Sequence, residues 1–359
     1  MLQRLRTLST LGFLVVVFAG LVSLVVHAVV NRNQDLEQKL TWQSLIDGSF
    51  TAAISQSVDK ALPSSKTLNG WIDGFLYWSL GDGGPQVRKG CGNWLYLAEE
   101  LTETPDGDAY LAERVKLAKA IASFVAGQGA RLIVVPVPDK AEVATEGLCG
   151  LEASAQSRTR LAKWRELSVP LGLNQIDIST NWPMPGYWHT DTHWDQKGAQ
   201  HAAEIIAATV NGMLGAGETA VDLQIGKETR ERIGDLTKLA GLVETANVFG
   251  PAPDLEHPVT MQINRSGGLL DEVPAPEVML LGSSYSLNSN FIEFLQAASA
   301  REIVQKSLAG GGFAGAMLDA IKDHPDQFRQ VKLVIWEWPA RTLTQPLTDQ
   351  EKAFLADQP

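Results

Sequence analysis

Apolar residues are arranged along this chain in three ways. The first is one long run, residues 8–30 (LSTLGFLVVVFAGLVSLVVHAVV), with no charge in it. At about 1.5 Å per residue a helix of that length crosses a hydrocarbon core. Arg4 and Arg6 precede it, which favours a cytoplasmic N-terminus and puts the body of the chain on the far side. The run is long for the apolar part of a signal peptide and no small-x-small cleavage site follows, so an uncleaved anchor is expected.

The second arrangement is the short continuous run. Arg131–Val137, Val278–Leu281 and Val331–Glu337 each hold a nearly continuous apolar run, the mark of strands buried on both faces of a parallel sheet. Gly92–Leu97 and Gln175–Ile178 read as shorter strands. The third is helical spacing. Over Asp106–Ala126, Leu111, Val115, Ala118, Ile121, Ala122 and Val125 share one side, and Gly127 suits the C-terminal cap. Further helices are expected around Ala153–Leu167, from a cap at Asp195 to about Leu214, from about Leu287 to Ala300, and after Gly310-Gly311-Gly312. This alternation predicts an α/β fold with a mainly parallel sheet and helices on both faces. Functional groups in such sheets gather at the carboxyl ends of the strands. Residues 215–275 read as loop-rich. Residues 31–90 are polar, with helical patches at Leu36–Ile46 and Phe50–Leu62. The organisation expected is an anchor (1–30), a stalk and lead-in (31–84), a catalytic domain (85–345) and a C-terminal tail (346–359).

Charge narrows the partners. The formal net charge is −11, and the first thirty residues carry two arginines and no acid, which leaves −13 on the rest. That argues against nucleic acid, and it gives a polyanion no overall attraction. The two cysteines, Cys91 and Cys149, lack metal-ligand spacing. In an oxidising compartment they are expected to pair, closing a loop worth ~4 kcal/mol in the chain-entropy model. Two unrelated buried thiols are the alternative.

Two segments carry chemistry. Gly282-Ser283-Ser284-Tyr285-Ser286 follows a strand and precedes a helix, where free amides and the helix dipole can meet an oxyanion. It approaches the G-x-S-x-G elbow, but Ser286 stands in place of the last glycine. A small-residue packing turn is the alternative. Tyr187-Trp188-His189-Thr190-Asp191-Thr192-His193-Trp194 places an acid and an imidazole two residues apart, on one side if the segment is extended. His193 would serve as base and Asp191 as its orienter. His189, Asp191 and His193 could equally face a metal, and a histidine held by its neighbours is a third reading.

The second segment resembles a known signature. Thr190-Asp191-Thr192-His193-Trp194, followed by Gly198-Ala199, is similar to the DTHW…GA element of the AlgJ/AlgX-type alginate O-acetyltransferases, SGNH-hydrolase-like proteins of exopolysaccharide acetylation. Gly92–Leu97, Val135-Pro136-Val137-Pro138-Asp139-Lys140, Gly234-Asp235-Leu236 and the serine block agree with that family in order, over about residues 85–345. The resemblance implies Ser284 as nucleophile, His193 as base and Asp191 as orienter, with Asp and His preceding the serine. Ser283 stands where the family usually has Thr or Asp, so choosing Ser284 over Ser283 rests on its distance from Gly282. The oxyanion would be held by backbone amides at Tyr285, and Gly311 is a second candidate. The reading is a periplasmic O-acetyltransferase in the inner membrane, using neither cofactor nor metal. Its acceptor would be an alginate-like exopolysaccharide, and its acetyl would come from a membrane-bound O-acyltransferase. An acetylesterase with the same triad and a weakly catalytic scaffold of an export complex are the alternatives. Lys140 and Arg341, expected at the carboxyl edge of the sheet, are the candidates for capturing the polymer, with structural pairing to Asp139 and Glu337 as the other reading.

Overall fold

The computed structural model describes residues 65–264 and 275–357 and a few isolated positions before residue 45. It divides into two units, Met1–Ile72 and Asp73–Pro359. The expected membrane span and the helical patches at Leu36–Ile46 and Phe50–Leu62 lie outside the described residues, save for isolated positions. Among the described residues no helix is long and apolar enough to cross a membrane.

The second unit is built on a parallel sheet of four strands: β4 (Arg131–Val137), β9 (Val278–Leu281), β10 (Ile303–Gln305) and β11 (Leu333–Pro339), in the order β10-β9-β11-β4. The preceding strands β1 (Asp82–Gly83), β2 (Val87–Lys89) and β3 (Leu95–Leu97) form a small antiparallel sheet. Between β4 and β9, two antiparallel ribbons occur where the sequence reads as loop: β5 (Ala220–Ile225) with β8 (Val259–Asn264), and β6 (Arg230–Arg232) with β7 (Asp254–Glu256). The strand expected at Gln175–Ile178 contracts to one bridge, Gln175 to Val134 of β4.

Why the strands are mostly apolar follows from the two cores. Ile133, Val135 and Val137, with Val278, Leu280, Leu333 and Ile335, point to one face. There they meet helices α4 (Gln196–Leu214) and α5 (Phe291–Ser299) through Ile206, Val210, Phe294 and Leu295. The alternate residues Val134, Met279, Leu281, Val334, Trp336 and Trp338 point the other way. They meet α2 (Gly107–Gly127), α3 (Ala155–Ser168) and α6 (Gly315–Asp323). A period-two strand with apolar side chains on both faces needs a helix layer on both. Burying a Leu, Ile or Val contributes about 1.5–3 kcal/mol, so the two layers supply the main driving force.

Helix ends depart from the sequence reading in physical ways. Asp195 caps α4 as expected, its side chain accepting from the Gly198 amide. Gly127 is the last helical residue of α2, and the left-handed turn falls to Gly129 at φ +86°. Helix α5 starts at Phe291 and not near Leu287, because Ser289 and Asn290 are left-handed and break the helical path. The glycines 310–312 precede α6 by a turn and do not open it.

Residues 31–90 contain more structure than a stalk. Helix α1 (Ser65–Leu80) sends Tyr77 into a small core with Val87, Leu95, Leu97, Leu236 and Leu242. At the other end, the expected tail folds into α7 (Asp349–Ala356), opened by a capping box between Thr348 and Glu351. Glu351 pairs with Arg114 of α2 at 3.0 Å, and both side chains are 2% exposed. Cys91 and Cys149 form a disulfide with Cα atoms 5.5 Å apart.

The Arg114–Glu351 pair yields a stability prediction. Glu351→Gln leaves a buried guanidinium without its anion, which costs about 3–5 kcal/mol. Urea unfolding should show a loss of that size. An unchanged midpoint would mean that α7 does not depend on the pair.

Candidate active site

The serine turn follows β9 directly, and a buried glutamate of the neighbouring strand fixes its shape. Glu337 of β11 is 1% exposed. Its carboxylate accepts from the amide and hydroxyl of Ser283 at 2.9 and 2.8 Å, and from those of Ser286 at 3.2 and 2.6 Å. Burial pushes its pKa up, and those four donors oppose the shift. Gly282 is required by space: a Cβ there would lie 2.1 Å from Ser286 Oγ and 2.8 Å from Glu337 Oε2. With both flanking serines turned toward Glu337, Ser284 is the half-buried hydroxyl that faces outward.

The segment Tyr187–Trp194 is a bend and not a strand. A bridge between Tyr187 and Trp194 closes it, with the Trp188 amide donating to His193 O at 3.3 Å. Inside it, Asp191 Oδ1 accepts from both the amide and Nδ1 of His193, at 3.0 and 2.6 Å. Such an i-to-i+2 arrangement belongs to a turn. Since a carboxylate only accepts, Nδ1 carries the hydrogen and Nε2 is free to accept. Ser284 Oγ lies 2.8 Å from that Nε2. Residues ninety apart in sequence therefore form one hydrogen-bonded chain, Ser284–His193–Asp191. Ser283 and Ser286 are outside it.

Asp191 is 2% exposed, and its second oxygen has partners the sequence reading missed. Arg232 Nη2 donates to Oδ2 at 3.0 Å, and the Asp235 amide does so at 3.2 Å. Burial opposes ionisation of Asp191, but His193 and the Arg232 charge outweigh it and hold the carboxyl well below its usual range. Asp235 in turn accepts from the Thr192 amide at 2.7 Å and from its hydroxyl. Gly234 lets that segment approach, since a Cβ there would fall 1.9 Å from Thr190 O. Gly234-Asp235-Leu236 had a place in the resemblance but no role. Arg232 had no signal at all, lying in a polar stretch with charges on both sides.

The metal alternative separates into two sites. His189 turns away to Asp254, Nδ1 to Oδ1 at 2.9 Å, so it does not converge with Asp191 and His193. Ligand atoms of Asp191, His193 and Asp235 do lie within 4.8 Å of one another. There, however, the Arg232 guanidinium already supplies positive charge to Asp191.

Four other sequence candidates are corrected. Lys140 is buried, and its ammonium donates to the carbonyls of Leu95, His189 and Asp191 at 2.6, 2.9 and 3.0 Å. Burial pushes it down to about 8, against the pull of Glu100, Asp254 and Asp191. It holds the Tyr187–Trp194 bend from below and is not available to a polymer. Arg341 is largely but not fully covered, its side chain 13% exposed, donating to the Tyr285 hydroxyl at 3.2 Å and pairing with Glu100 at 3.6 Å. Asp139 pairs with Arg160, and the charge and amide of Arg341 also favour its ionised form, while Glu337 is held by serines. The Tyr285 amide donates to Ser283 Oγ at 3.1 Å, and the Gly311 amide to Leu308 O at 3.0 Å, so neither is free for an oxyanion. Of the amides from Ser283 to Ser286, the one without a partner among the described residues is that of Ser284 itself.

Comparison with known proteins gives the family and the fold. The family described as SGNH hydrolase-like domain, acetyltransferase AlgX, matches residues 87–340. The chain is 28% identical over 340 residues to the probable alginate O-acetylase AlgJ of Pseudomonas putida, spanning 88% of this chain and 85% of that protein. Against the protein of the same description from Pseudomonas aeruginosa it is 23% identical over 332 residues, 87% and 84% of the two chains. Among solved structures, the O-acetyltransferase domain of Pseudomonas putida AlgJ shares the fold with a TM-score of 0.66 at 24% identity, covering 77% of this chain and 100% of that one. Pseudomonas aeruginosa AlgX does so with 0.56 at 20% identity, over 75% of this chain and 65% of that one.

A pH prediction follows from Asp191. Its carboxyl is held below the unfolded value, so its stabilising contribution is complete above about pH 3.9 and is lost as pH falls through the folded value. Thermal unfolding of the parent should therefore fall more steeply than that of Asp191→Asn below about pH 4, the two curves converging. Parallel curves over that range would contradict the assignment.

Proposed function

The chain belongs to the SGNH hydrolase-like family of acetyltransferase AlgX, and from that premise we propose that it is an O-acetyltransferase working through Ser284 on an alginate-like exopolysaccharide. The observation that carries this reading is the 2.8 Å contact between Ser284 Oγ and His193 Nε2, which completes the chain to Asp191. A serine hydroxyl is a weak nucleophile until a base takes its proton.

In the first half-reaction His193 Nε2 takes the Ser284 proton while Oγ attacks the carbonyl carbon of an acetyl donor. The carbonyl electrons move onto oxygen, and the Ser284 amide is the donor placed to meet them. The oxyanion then collapses, the bond to the leaving group breaks, and His193 returns the proton to that group. Acetyl-serine remains. In the second half a sugar hydroxyl gives its proton to His193 and attacks the same carbon, and Ser284 leaves with the proton. Asp191 stays ionised throughout and balances the imidazolium that forms twice. The steps are carried by Ser284, His193, Asp191 and a backbone amide.

The donor is proposed to be a membrane-bound O-acyltransferase, because a periplasmic enzyme has no supply of acetyl-CoA. Residues 1–30 would anchor the chain in the inner membrane with the catalytic unit in the periplasm, a placement supported by the uncharged run and by Arg4 and Arg6. The names of the relatives support an alginate-like acceptor.

The test pairs two variants and two readouts. Ser284→Ala should abolish turnover of a small neutral acetyl ester and acetyl transfer to mannuronate oligosaccharide. Ser283→Ala should keep the reaction but cost about 1–3 kcal/mol of stability, from the acceptor it leaves unsatisfied on Glu337. Activity lost in Ser283→Ala and kept in Ser284→Ala would reverse the nucleophile assignment. Acetate as the sole product in the presence of oligosaccharide would make the protein an esterase.

A further inference from the structure

Arg232 touches one end of the hydrogen-bonded chain and reaches the other through Asn288. Nη2 donates to Asp191 Oδ2 at 3.0 Å and to Asn288 Oδ1 at 2.9 Å. Asn288 Nδ2 in turn donates to the carbonyl oxygen of Ser284 at 2.8 Å. With the contacts from Ser284 to His193 and from His193 to Asp191, these bonds form a closed circuit through Ser284, His193, Asp191, Arg232 and Asn288. One guanidinium nitrogen thus spans the segment that supplies the base and the turn that supplies the nucleophile.

The ribbon that carries Arg232 is built to hold it. Nη1 reaches Glu256 at 3.3 Å, and Arg230 Nε reaches the other oxygen of the same carboxylate at 2.6 Å. The guanidinium carbon lies 5.5 Å from the centre of the Trp188 ring. In the register of β6 and β7, Arg232 stands opposite Asp254. Asp254 accepts from the His189 and Thr190 amides at 3.0 and 2.9 Å. A single cross-strand pair therefore grips the Tyr187–Trp194 bend at three consecutive residues, 189 to 191.

We propose that Arg232 is a positioning residue for acyl transfer: through Asp191 it fixes the imidazole, and through Asn288 it fixes the backbone of Ser284, so that the two approach in one geometry. The inference rests on the Ser284 reading above. A lysine would keep the charge but not the planar fork that meets Asp191, Asn288 and Glu256 together. The charged groups around the guanidinium are Asp191 and Glu256, with Arg230 on the far side of Glu256, and the imidazole itself faces Asp191, Asp235 at 3.6 Å from Nδ1 and the Tyr285 ring.

The test uses the full chain, with p-nitrophenyl acetate as probe and thermal unfolding measured in parallel. Arg232→Met should lower kcat by about 10²-fold, the loss that misplacement by an ångström brings, with KM changed less than about twofold. Removing a cation beside the Asp191–His193 pair favours the protonated imidazole, which cannot accept from Ser284. The acid-side half-maximum of kcat/KM should therefore move to higher pH. Arg232→Lys should bring that half-maximum back while recovering kcat only in part. Asn288→Ala breaks the same circuit on the other side. Combined with Arg232→Met it should cost little beyond the larger single loss, because the two act as a unit. Should Arg232→Met fail to fold, Arg232→Lys and Asn288→Ala carry the test alone, with a loss of kcat in each and a pH shift in neither. Folded Arg232→Met with kcat within twofold of the parent, an unmoved acid limb, or full additivity with Asn288→Ala would overturn the proposal. Ser284→Ala runs alongside: a dead Ser284→Ala beside an unaffected Arg232→Met removes only the positioning role, whereas an active Ser284→Ala removes the triad and this inference with it.

Discussion

Burying an ionised carboxylate is costly unless donors and a cation compensate it, and Asp191 imposes that requirement on its surroundings. One oxygen is met by its own chain two residues on, which folds Tyr187–Trp194 into a bend and aims the imidazole. The other is met from a different part of the chain, by Arg232 and the Asp235 amide. The ribbon of β6 and β7, the close approach at Gly234 and the buried Lys140 beneath the bend follow from satisfying this one group and the backbone that carries it.

A second buried carboxylate performs the matching task for the proposed nucleophile. Glu337 gathers Ser283 and Ser286 through four donors and leaves Ser284 as the hydroxyl turned toward His193. The two carboxylates divide the work. Asp191 is ionised against a base and a guanidinium and takes part electrostatically. Glu337 sees only serines, and burial favours its neutral form. Both stand at the carboxyl edge of the parallel sheet, and the apolar strands β9 and β11 supply the rigid edge that keeps them apart.

The frame was legible in the sequence because its signal is burial itself. Val278–Leu281 reads as a strand with the bounds it has, and the cap at Asp195 and the reach of α4 to Leu214 are as the pattern predicts. The chemistry-bearing pair of segments was legible because serine, histidine and aspartate are rare in such settings and the DTHW element is specific. What the sequence hid was partnership. Charge is visible in a sequence and burial of charge is not, so Lys140 and Arg341 read as surface cations although Lys140 is fully buried and Arg341 is turned inward to the Tyr285 hydroxyl. Arg232 sits in Arg230-Glu231-Arg232, which reads as a solvated polar stretch until β7 is brought beside it. The amide at Tyr285 looked free because nothing in sequence tells which way the Ser283 hydroxyl turns.

The central claim is that acetyl passes through Ser284 and no other serine of the turn. It is tested most directly by rapid acid quench of the full chain with an activated acetyl ester, followed by fragmentation of the peptide that spans Gly282–Asn288. The account predicts an acetyl group on Ser284 that disappears when mannuronate oligosaccharide is added, with the label recovered on the sugar. Label on Ser283 or Ser286, or an acetyl group on Ser284 that the oligosaccharide does not remove, would contradict it.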